Sequence, residues 1–256
     1  MRIHALTTGT VEIKTAMHRG RRPLRLLRTL LDRAYTAPLP IHAWLIEHPD
    51  GPILVDTGDL ATTGDPPIAR FHISREQEID RALEGVGCSV ADLKTVVLTH
   101  LHGDHMNGLG RLPGTRVLVS ADALGWGGAR RLRRRGVSEP EAVELADRPF
   151  GAFARSAALT ADGRVLAVPT PGHTSAHIAV IVIEEDHHVL IGGDSAYTQS
   201  QLLDLHPDGV SPSARSAVRS MGTIVDHARR HATVYLPSHD PDSAARLGRR
   251  EPVFEV

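Results

Sequence analysis

The chain has 256 residues, of which 41% are hydrophobic and 23% are charged, and its formal net charge is −1. This composition is typical of a soluble globular protein. The balanced charge excludes a nucleic-acid binder that depends on bulk positive charge. The single cysteine, Cys88, excludes an internal disulfide and a cysteine-based metal cage. The chain also has 16 histidines, and histidine is the commonest metal ligand in proteins and a frequent general base.

The N-terminal segment 1–14 alternates apolar and polar residues, as a strand does, and lacks the apolar core of a signal peptide. No apolar run approaches the ~18 residues that cross a bilayer. The longest such run, 178–183, is typical of a strand. There is neither an internal repeat nor a low-complexity linker. The sequence therefore predicts a single cytoplasmic domain over residues 1–256 that does not insert into a membrane.

Short apolar runs bounded by Gly, Pro, Asp or Asn predict strands. In chain order these strands are 41–47, 52–55, 95–98, 115–119, 164–168, 178–183, 188–191 and 233–236. Asp50-Gly51 and residues 185–187 predict hairpin turns. The predicted helices are 74–84, 140–146 and 211–231. Strands interrupted by helices predict an α/β or α+β layered fold around one core.

Two stretches are rich in arginine, residues 19–28 and 130–135. In a chain without net positive charge we interpret both as solvated surface rather than as sites for a phosphate-rich partner. Residues 19–33 also hold five leucines, and Pro23 allows a helix to begin there. We therefore interpret this segment as an amphipathic cap over a pocket or as a homodimer contact.

One predicted buried strand runs directly into His100, His102, Asp104 and His105. His100 and His102 are two residues apart, so both rings can point to one side of an extended chain. Gly103 allows a sharp bend before the second pair. The arrangement can serve two metal ions, and imidazole with carboxylate suits Zn²⁺, Mn²⁺, Fe²⁺ or Co²⁺. Without a bound ion, so many polar groups at one buried spot would be unfavourable.

Three further candidates, His173, Asp194 and His239, each follow a predicted strand at a Gly or Pro turn. Side chains at the ends of packed strands are held rigidly, as a metal cluster requires. Ligand-type residues at four separate strand ends therefore predict a metal centre.

The order of these motifs along the chain resembles the metallo-β-lactamase superfamily. The motifs are His100-Leu101-His102-Gly103-Asp104-His105, Gly172-His173-Thr174, Gly193-Asp194 and Ser238-His239-Asp240. The resemblance implies a four-layer αββα sandwich with a dinuclear metal site, for which Zn²⁺ is the first expectation. It implies that one ion is held by His100, His102 and His173, the other by Asp104, His105 and His239, and both by the bridging Asp194.

Within that superfamily, residues 193–198 resemble the quorum-quenching N-acyl homoserine lactonases. In those enzymes a tyrosine three residues after the bridging aspartate contacts the substrate, and Tyr197 stands at this position. The resemblance implies that the protein opens the lactone ring of N-acyl homoserine lactones or related small lactones. Residues 19–33 and 121–160 depart from the family pattern, so no acyl-chain preference is implied.

These residues imply a specific chemistry. Two divalent ions about 3.5–4 Å apart lower the pKa of a bridging water towards neutrality, and the resulting hydroxide is the expected nucleophile. Tyr197 is expected to polarise the lactone carbonyl and stabilise the oxyanion. Asp104 or Asp194 is expected to carry a proton to the leaving alkoxide. The residues expected to orient the ligand imidazoles are Asp56, Thr99 and Thr174.

The remaining histidines have simpler interpretations. His177 is expected to be structural, and His187 and His188 to be solvated in a hairpin turn. His227 and His231 are one helical turn apart, a spacing that can bind metal. No other ligand-type residue converges on them in the sequence, so we expect a solvated helix face.

Two alternative functions stay open. A thioesterase of the glyoxalase II type would use the same seven ligands. A non-catalytic or redox di-iron module would need glutamate-type iron ligands or a flavin domain, and neither is visible in the sequence. Visible absorbance of the purified protein would distinguish iron or flavin from zinc.

Overall fold

The computed structural model describes residues 1–20, 24–125 and 127–255, and every side chain in these ranges except those of residues 19, 25 and 26. The strands are β1 (Arg2–Ile13), β2 (Leu39–Glu47), β3 (Ile53–Val55), β4 (Ala69–His72), β5 (Thr95–Leu98), β6 (Arg116–Ser120), β7 (Glu141–Val143), β8 (Ala157–Ala158), β9 (Val165–Pro169), β10 (Ile178–Ile183), β11 (His188–Gly193) and β12 (Thr233–Pro237). The helices are α1 (Thr15–Arg19), α2 (Arg25–Leu31), α3 (Ile79–Gly85), α4 (Gly103–Met106), α5 (Ala121–Leu124), α6 (Gly128–Arg133), α7 (Gln199–Leu203), α8 (Ala214–Ala228) and α9 (Ser243–Arg249), with 3₁₀ turns at Arg75–Gln77 and Asn107–Arg111. Within the described ranges, no helix has both the length and the apolar character needed to cross a membrane.

Among the described residues, one sheet has the strand order β4-β1-β2-β3-β5-β6-β7 and a second has the order β12-β11-β10-β9-β8. Strands β3, β5, β6 and β7 run parallel to one another. Strands β9, β11 and β12 also share a direction, because β9 and β11 are both antiparallel to β10 and β12 is parallel to β11. The carboxyl ends of strands with a common direction lie at one edge, where sites in such sheets form.

Apolar side chains fill the space between the two sheets and cover their outer faces. Trp44 of the first sheet and Val180 of the second belong to the layer between the sheets. Leu83 of α3 packs on the outer face of the first sheet, and Met221 of α8 packs on the outer face of the second. Each fully buried side chain of this size stabilises the fold by about 1.5–3 kcal/mol. The order helix, sheet, sheet, helix confirms the predicted α+β fold and four-layer αββα sandwich.

Most predicted elements are present. The strands predicted at 95–98 and 178–183 are confirmed at both ends. The helix predicted at 211–231 is confirmed as the shorter α8, which Ser213 caps by accepting a hydrogen bond from the chain at the first turn. The helix predicted at 74–84 divides into a 3₁₀ turn with a capping box and the separate helix α3.

The helix predicted at 140–146 is wrong, because β7 occupies this part of the chain. β7 pairs in parallel with β6, with Glu141 opposite Leu118. The guanidinium of Arg116 donates two hydrogen bonds to the Glu141 carboxylate, at 2.7 and 2.6 Å. So short a segment has no period that separates helix from strand, and the free edge of β6 decides its conformation.

Four leucine side chains of the leucine-rich segment are exposed. The exposed large side chains of this segment are Leu24, Leu27, Leu30 and Leu31. In contrast, Thr29 on the opposite face of α2 is buried. The helix start predicted at Pro23 lies outside the described residues, as does Trp126 of the 121–160 segment. The cap and homodimer interpretations stay predictions.

Candidate metal centre

The seven ligand-type residues predicted from the sequence meet where the strands end. One group is His100, His102, His173 and Asp194, and the other is Asp104, His105 and His239. Within each group the ligand atoms lie within 4.8 Å of one another. The sequence and the structure therefore select the same seven side chains.

Short turns after the strands bring these side chains together. His102 precedes α4, and Asp104 lies in the first turn of that helix. Gly193 ends β11 with a φ of +52°, and a Cβ there would lie 2.8 Å from Thr99 Oγ1 and 2.9 Å from His177 Nε2. Glycine alone permits both this backbone conformation and this close approach. Asp194 follows directly and enters the centre.

Asp194 lies between the two groups. Its Oδ2 is 3.2 Å from His173 Nε2 and 4.0 Å from His100 Nε2. Its Oδ1 is 3.4 Å from His105 Nε2 and 3.3 Å from His239 Nε2. Ligand atoms around a tetrahedral ion with bonds of about 2.0–2.2 Å lie roughly 3.3–3.6 Å apart. One oxygen of Asp194 therefore faces each group, and its distances to His173, His105 and His239 are close to this range, whereas that to His100 is longer.

Hydrogen bonds outside the centre turn the ring nitrogens towards it. His105 Nδ1 donates to Asp56 Oδ2 at 2.8 Å, and Asp56 also accepts from the backbone and hydroxyl of Thr99. His239 Nδ1 donates to the Pro40 carbonyl at 2.8 Å. Because Nδ1 carries the hydrogen in each ring, Nε2 is left as a free ligand atom facing inwards.

Two more rings are held in the same way. His100 Nδ1 lies 3.1 Å from Thr99 Oγ1, and His173 Nδ1 donates to Asp208 Oδ2 at 3.0 Å. Thr99 thus has the orienting position expected from the sequence. Sequence reasoning missed Asp208, which lies in an irregular loop 35 residues from His173. Its Asp-Gly turn was the one local signal available.

His177, expected to be structural, contacts the backbone of the centre. Its Nε2 accepts a hydrogen bond from Asp194 N at 3.1 Å, and its Nδ1 lies 2.8 Å from Thr170 Oγ1. Burial and the neighbouring His173 lower the pKa of His177 to about 3, so its ring is neutral. The orienting role expected for Thr174 is wrong, because its buried Oγ1 has no hydrogen-bond partner among the described residues.

In the part of the chain that the structure describes, three buried polar atoms at the centre have no hydrogen-bond partner, namely His100 Nε2, His105 Nε2 and Asp194 Oδ1. Burial lowers the pKa of His239, but Asp194 and Asp104 outweigh it and raise this pKa to about 10. The same carboxylates hold the pKa of His105 well above its usual value despite burial. Divalent cations would displace these protons. The donor set and its free atoms therefore fit two divalent metal ions.

A cavity of about 560 Å³ opens onto the centre, and Tyr197 lines it. The Tyr197 ring centroid is 5.7 Å from that of His173 and 5.5 Å from that of His239. Its buried hydroxyl has no partner among the described residues, and burial raises its pKa well above the usual value. The neutral phenol can therefore donate a hydrogen bond beside both groups. The cavity wall is largely apolar and includes Val11, Ile13, Met17, Ile68, Phe71 and Val210.

His188, His227 and His231 form a second histidine cluster, at the start of β11. His188 Nδ1 lies 3.0 Å from His227 Nε2, and the rings pack on Phe150 and Phe153. His227 is fully buried and His188 is half-buried, so the solvated positions predicted for them are wrong. The rings of Phe150 and Phe153 explain why the prediction of solvent exposure fails, because they shield the imidazole carbons from water.

Two known proteins are similar to this chain in sequence. The chain is similar to the N-acyl homoserine lactonase AttM of Rhizobium radiobacter, at 24% identity over 99% of this chain and 98% of that protein. It is also similar to the probable metallo-hydrolase Rv2300c of Mycobacterium tuberculosis, at 31% identity over 82% of this chain and 77% of that protein.

A solved structure and a family profile extend the comparison. The structure is that of an N-acyl homoserine lactone hydrolase with the product N-hexanoyl-L-homoserine at its catalytic metal centre. It shares the fold, with a TM-score of 0.72 at 20% identity, and the match covers 95% of this chain and 94% of that one. The family profile, described as metallo-beta-lactamase superfamily, matches residues 36–239. The chain therefore belongs to the metallo-beta-lactamase superfamily of metal-dependent hydrolases.

Proposed function

We propose that this protein is a lactonase that opens the ring of N-acyl homoserine lactones or related lactones. The observation that carries the proposal is the free hydroxyl of Tyr197, which lies beside both ligand groups in a largely apolar cavity. A lactone carbonyl needs a donor at such a point, and an acyl chain needs an apolar wall. Similarity to a lactonase over nearly the full length of both chains supports the proposal. Such an activity would make the protein a quorum-quenching enzyme.

We assign the metal ligands of this lactonase as follows. One ion would be held by His100, His102 and His173 and the other by Asp104, His105 and His239, and the Asp194 carboxylate, which lies between the two groups, would serve both. When bound, two divalent ions supply Lewis acidity and lower the pKa of a water towards neutrality. Zn²⁺ suits this imidazole-rich set first, with Mn²⁺, Fe²⁺ and Co²⁺ as alternatives.

In this proposal Tyr197 donates a hydrogen bond to the lactone carbonyl oxygen. Negative charge develops on that oxygen as the carbonyl carbon becomes tetrahedral, so a fixed donor stabilises the transition state more than the substrate. The backbone N–H of Tyr197 donates to Gln201 Oε1 at 3.0 Å, and the His18 ring stacks on the phenol at 6.2 Å. These contacts hold the ring and leave its hydroxyl available to the substrate.

Asp104 and Asp194 are the two candidates for proton transfer to the leaving alkoxide, since both line the cavity. Burial raises the pKa of Asp104, but His105 and His239 outweigh it and lower this pKa to about 2. The ionised carboxylate can accept a proton and pass it on. The Asp104 side chain is 15% exposed and that of Asp194 is 4% exposed, which favours Asp104 for contact with the leaving group.

The test is ring opening of short-chain and long-chain acyl homoserine lactones by zinc-loaded protein, followed with a pH indicator. We expect turnover by the wild type. Tyr197→Phe should lower kcat by about 10²-fold, because it removes one donor to the oxyanion. The matched control is Tyr35→Phe, which removes the same atom from a ring that packs against Arg70 and should leave kcat unchanged.

Protein that holds two zinc ions but opens no lactone would contradict the proposed substrate class, and thioesters would then be tested. Turnover of lactones with equal kcat for the wild type and Tyr197→Phe would remove the role of Tyr197 alone.

A further inference from the structure

The carboxylate of Asp208 accepts hydrogen bonds from four donors. One of these donors is the ring of His173, a proposed metal ligand. Its Oδ1 accepts from Val210 N at 2.7 Å and from Ser211 N at 2.6 Å. Its Oδ2 accepts from the Ser211 hydroxyl at 2.6 Å and from His173 Nδ1 at 3.0 Å. Asp208 is buried. A carboxylate with this many partners has a fixed position and a fixed choice of which oxygen faces His173.

The loop that carries Asp208 is itself anchored to α1. Gly209 N donates to the Met17 carbonyl at 2.7 Å. A Cβ at Gly209 would lie 2.7 Å from the Ala16 carbonyl oxygen and 2.9 Å from Thr29 Oγ1, so the loop and the helices are in direct contact. The loop cannot move away from His173 without breaking these contacts. Asp208 is therefore a rigid support and not a surface side chain that reaches the ring by chance.

The hydrogen bond from His173 to Asp208 decides which ring nitrogen can bind a metal. With Nδ1 donating, Nε2 keeps its lone pair, and this atom lies 2.8 Å from His102 Nδ1 and 3.2 Å from Asp194 Oδ2, both in the same ligand group. Asp56 makes the corresponding contact with His105 in the other ligand group, at 2.8 Å. Each group thus has its own buried carboxylate behind one histidine, and the two carboxylates lie in different parts of the chain.

We propose that Asp208 is the positioning residue for the metal ion of the His100, His102 and His173 group, and that it controls this ion without controlling the other. The inference rests on the metal centre of the proposed function and not on its substrate. The variant Asp208→Asn tests whether Asp208 affects one metal ion and not the other. The amide keeps an acceptor oxygen for Val210 N and Ser211 N but presents an N–H₂ donor to His173 Nδ1. That donor favours the tautomer with hydrogen on Nε2, which cannot bind a metal.

The experiment measures zinc per chain and the affinity of each ion by competition with a chelator. The proteins are the wild type, Asp208→Asn and Asp204→Asn, and the last makes the same chemical change at an exposed position of the same segment. The wild type and Asp204→Asn should each bind two ions, and the affinity for each ion should be the same in the two proteins. In Asp208→Asn the affinity for one ion should fall by about 10–100-fold while the other is unchanged.

If Asp208→Asn binds both ions with wild-type affinity, the inference is overturned. An equal fall in the affinities for both ions would also overturn it. A wild type that binds no zinc would overturn both the inference and the metal centre. A wild type that binds two ions but opens no lactone would contradict only the proposed substrate.

A second measurement needs no variant, in case Asp208→Asn does not fold. Long-range ¹H–¹⁵N NMR spectra of the zinc-loaded wild type report which ring nitrogen of each histidine carries hydrogen. For His173 we expect a protonated Nδ1 and a metal-bound Nε2. The opposite assignment would overturn the role of Asp208.

Discussion

The metal centre and the second histidine cluster both pack imidazoles against one another, but the rings meet differently. At the centre the ring planes of His100, His102 and His173 cross at 82° to 88°. In the second histidine cluster the planes lie within 25° to 35° of one another. Crossed rings can aim their nitrogens at one point, whereas stacked rings aim them in parallel. Contacts between histidines are therefore common to both regions. Among the described residues, a group of three or more ligand atoms within 4.8 Å of one another occurs at the metal centre and not in the second histidine cluster.

The two regions also differ in charge. The rings of the metal centre meet four carboxylates, those of Asp56, Asp104, Asp194 and Asp208. In the described part of the chain, the groups that shift the pKa of His188 and His227 are other histidines and Arg230. Carboxylates raise the pKa of His239 to about 10 against the effect of burial, while burial and His188 lower that of His227 to about 3. Carboxylates make a histidine cluster able to attract cations.

The largest effect is expected when the shared carboxylate is removed. Asp194→Asn should lower kcat/KM by about 10³-fold, because in the proposed lactonase it disturbs a two-metal centre that would supply several kcal/mol of transition-state stabilisation. His231→Gln, in the second histidine cluster, should leave kcat/KM and the zinc content unchanged. Lactone hydrolysis and zinc per chain are the measurements. Equal losses in the two variants would break the comparison.

Removal of metal should lower the Tm of the protein because the metal centre loses its ions, and the second histidine cluster should not contribute to this change. Free zinc at 100 times its Kd stabilises the folded chain by about 2.7 kcal/mol per ion. For a chain of this size, loss of one such ion lowers Tm by about 5–10 °C. Thermal unfolding with and without a chelator measures the shift. We expect the chelator to lower Tm by the same amount in His231→Gln as in the wild type, and by less in Asp194→Asn. A smaller change in Tm for His231→Gln would show that the second histidine cluster also binds metal.

In metal-loaded protein, we expect acid to lower the free energy of unfolding through the second histidine cluster. The pKa of His227 is about 3 in the fold against an ordinary value of 6.5, so between these values the unfolded chain binds a proton that the fold does not. The stability due to this difference is present above pH 6.5 and is lost as the pH falls. The wild type should lose roughly 1–2 kcal/mol more than His227→Gln between pH 7 and pH 5, after allowance for solvent screening.

Urea unfolding at the two pH values measures this difference. His72→Gln is the matched control, since the His72 side chain is 55% exposed at the sheet edge, and it should behave as the wild type. An identical pH dependence in His227→Gln would contradict the expectation.

The smallest effect is expected when a carboxylate is added to the second histidine cluster. His231→Glu replaces a ring whose centroid is 4.8 Å from that of His188. Burial, His231 and His187 lower the pKa of His188 to about 4. The variant removes one of these charges and adds an opposite one, so the pKa should rise by about 1 unit or more. NMR titration of His188 measures it, and a pKa at or below the wild-type value would contradict the role given to carboxylates.

Particular residues show how far sequence reasoning extends. The strand at 95–98 and the ligand motif after it are local patterns, and the structure has the strand at those residues and brings the motif together with the other ligand-type residues. The short segment 140–146 predicts a helix by its own pattern, but pairing with β6 makes part of it a strand. Helical spacing predicts solvent exposure for His227, because spacing alone does not reveal Phe150 and Phe153 beneath the ring.

The sequence by itself determined eight of the strands, a layered fold of strands and helices, and the set of ligand-type residues, because each depends on periodicity or spacing within a few neighbouring residues. Only the tertiary structure decided which ring nitrogens face inwards, which carboxylate lies behind His173, and that His227 is buried. These features depend on contacts across the chain, such as the 35 residues between His173 and Asp208 and the 39 between His188 and His227. Such contacts exist only once the two sheets have packed together.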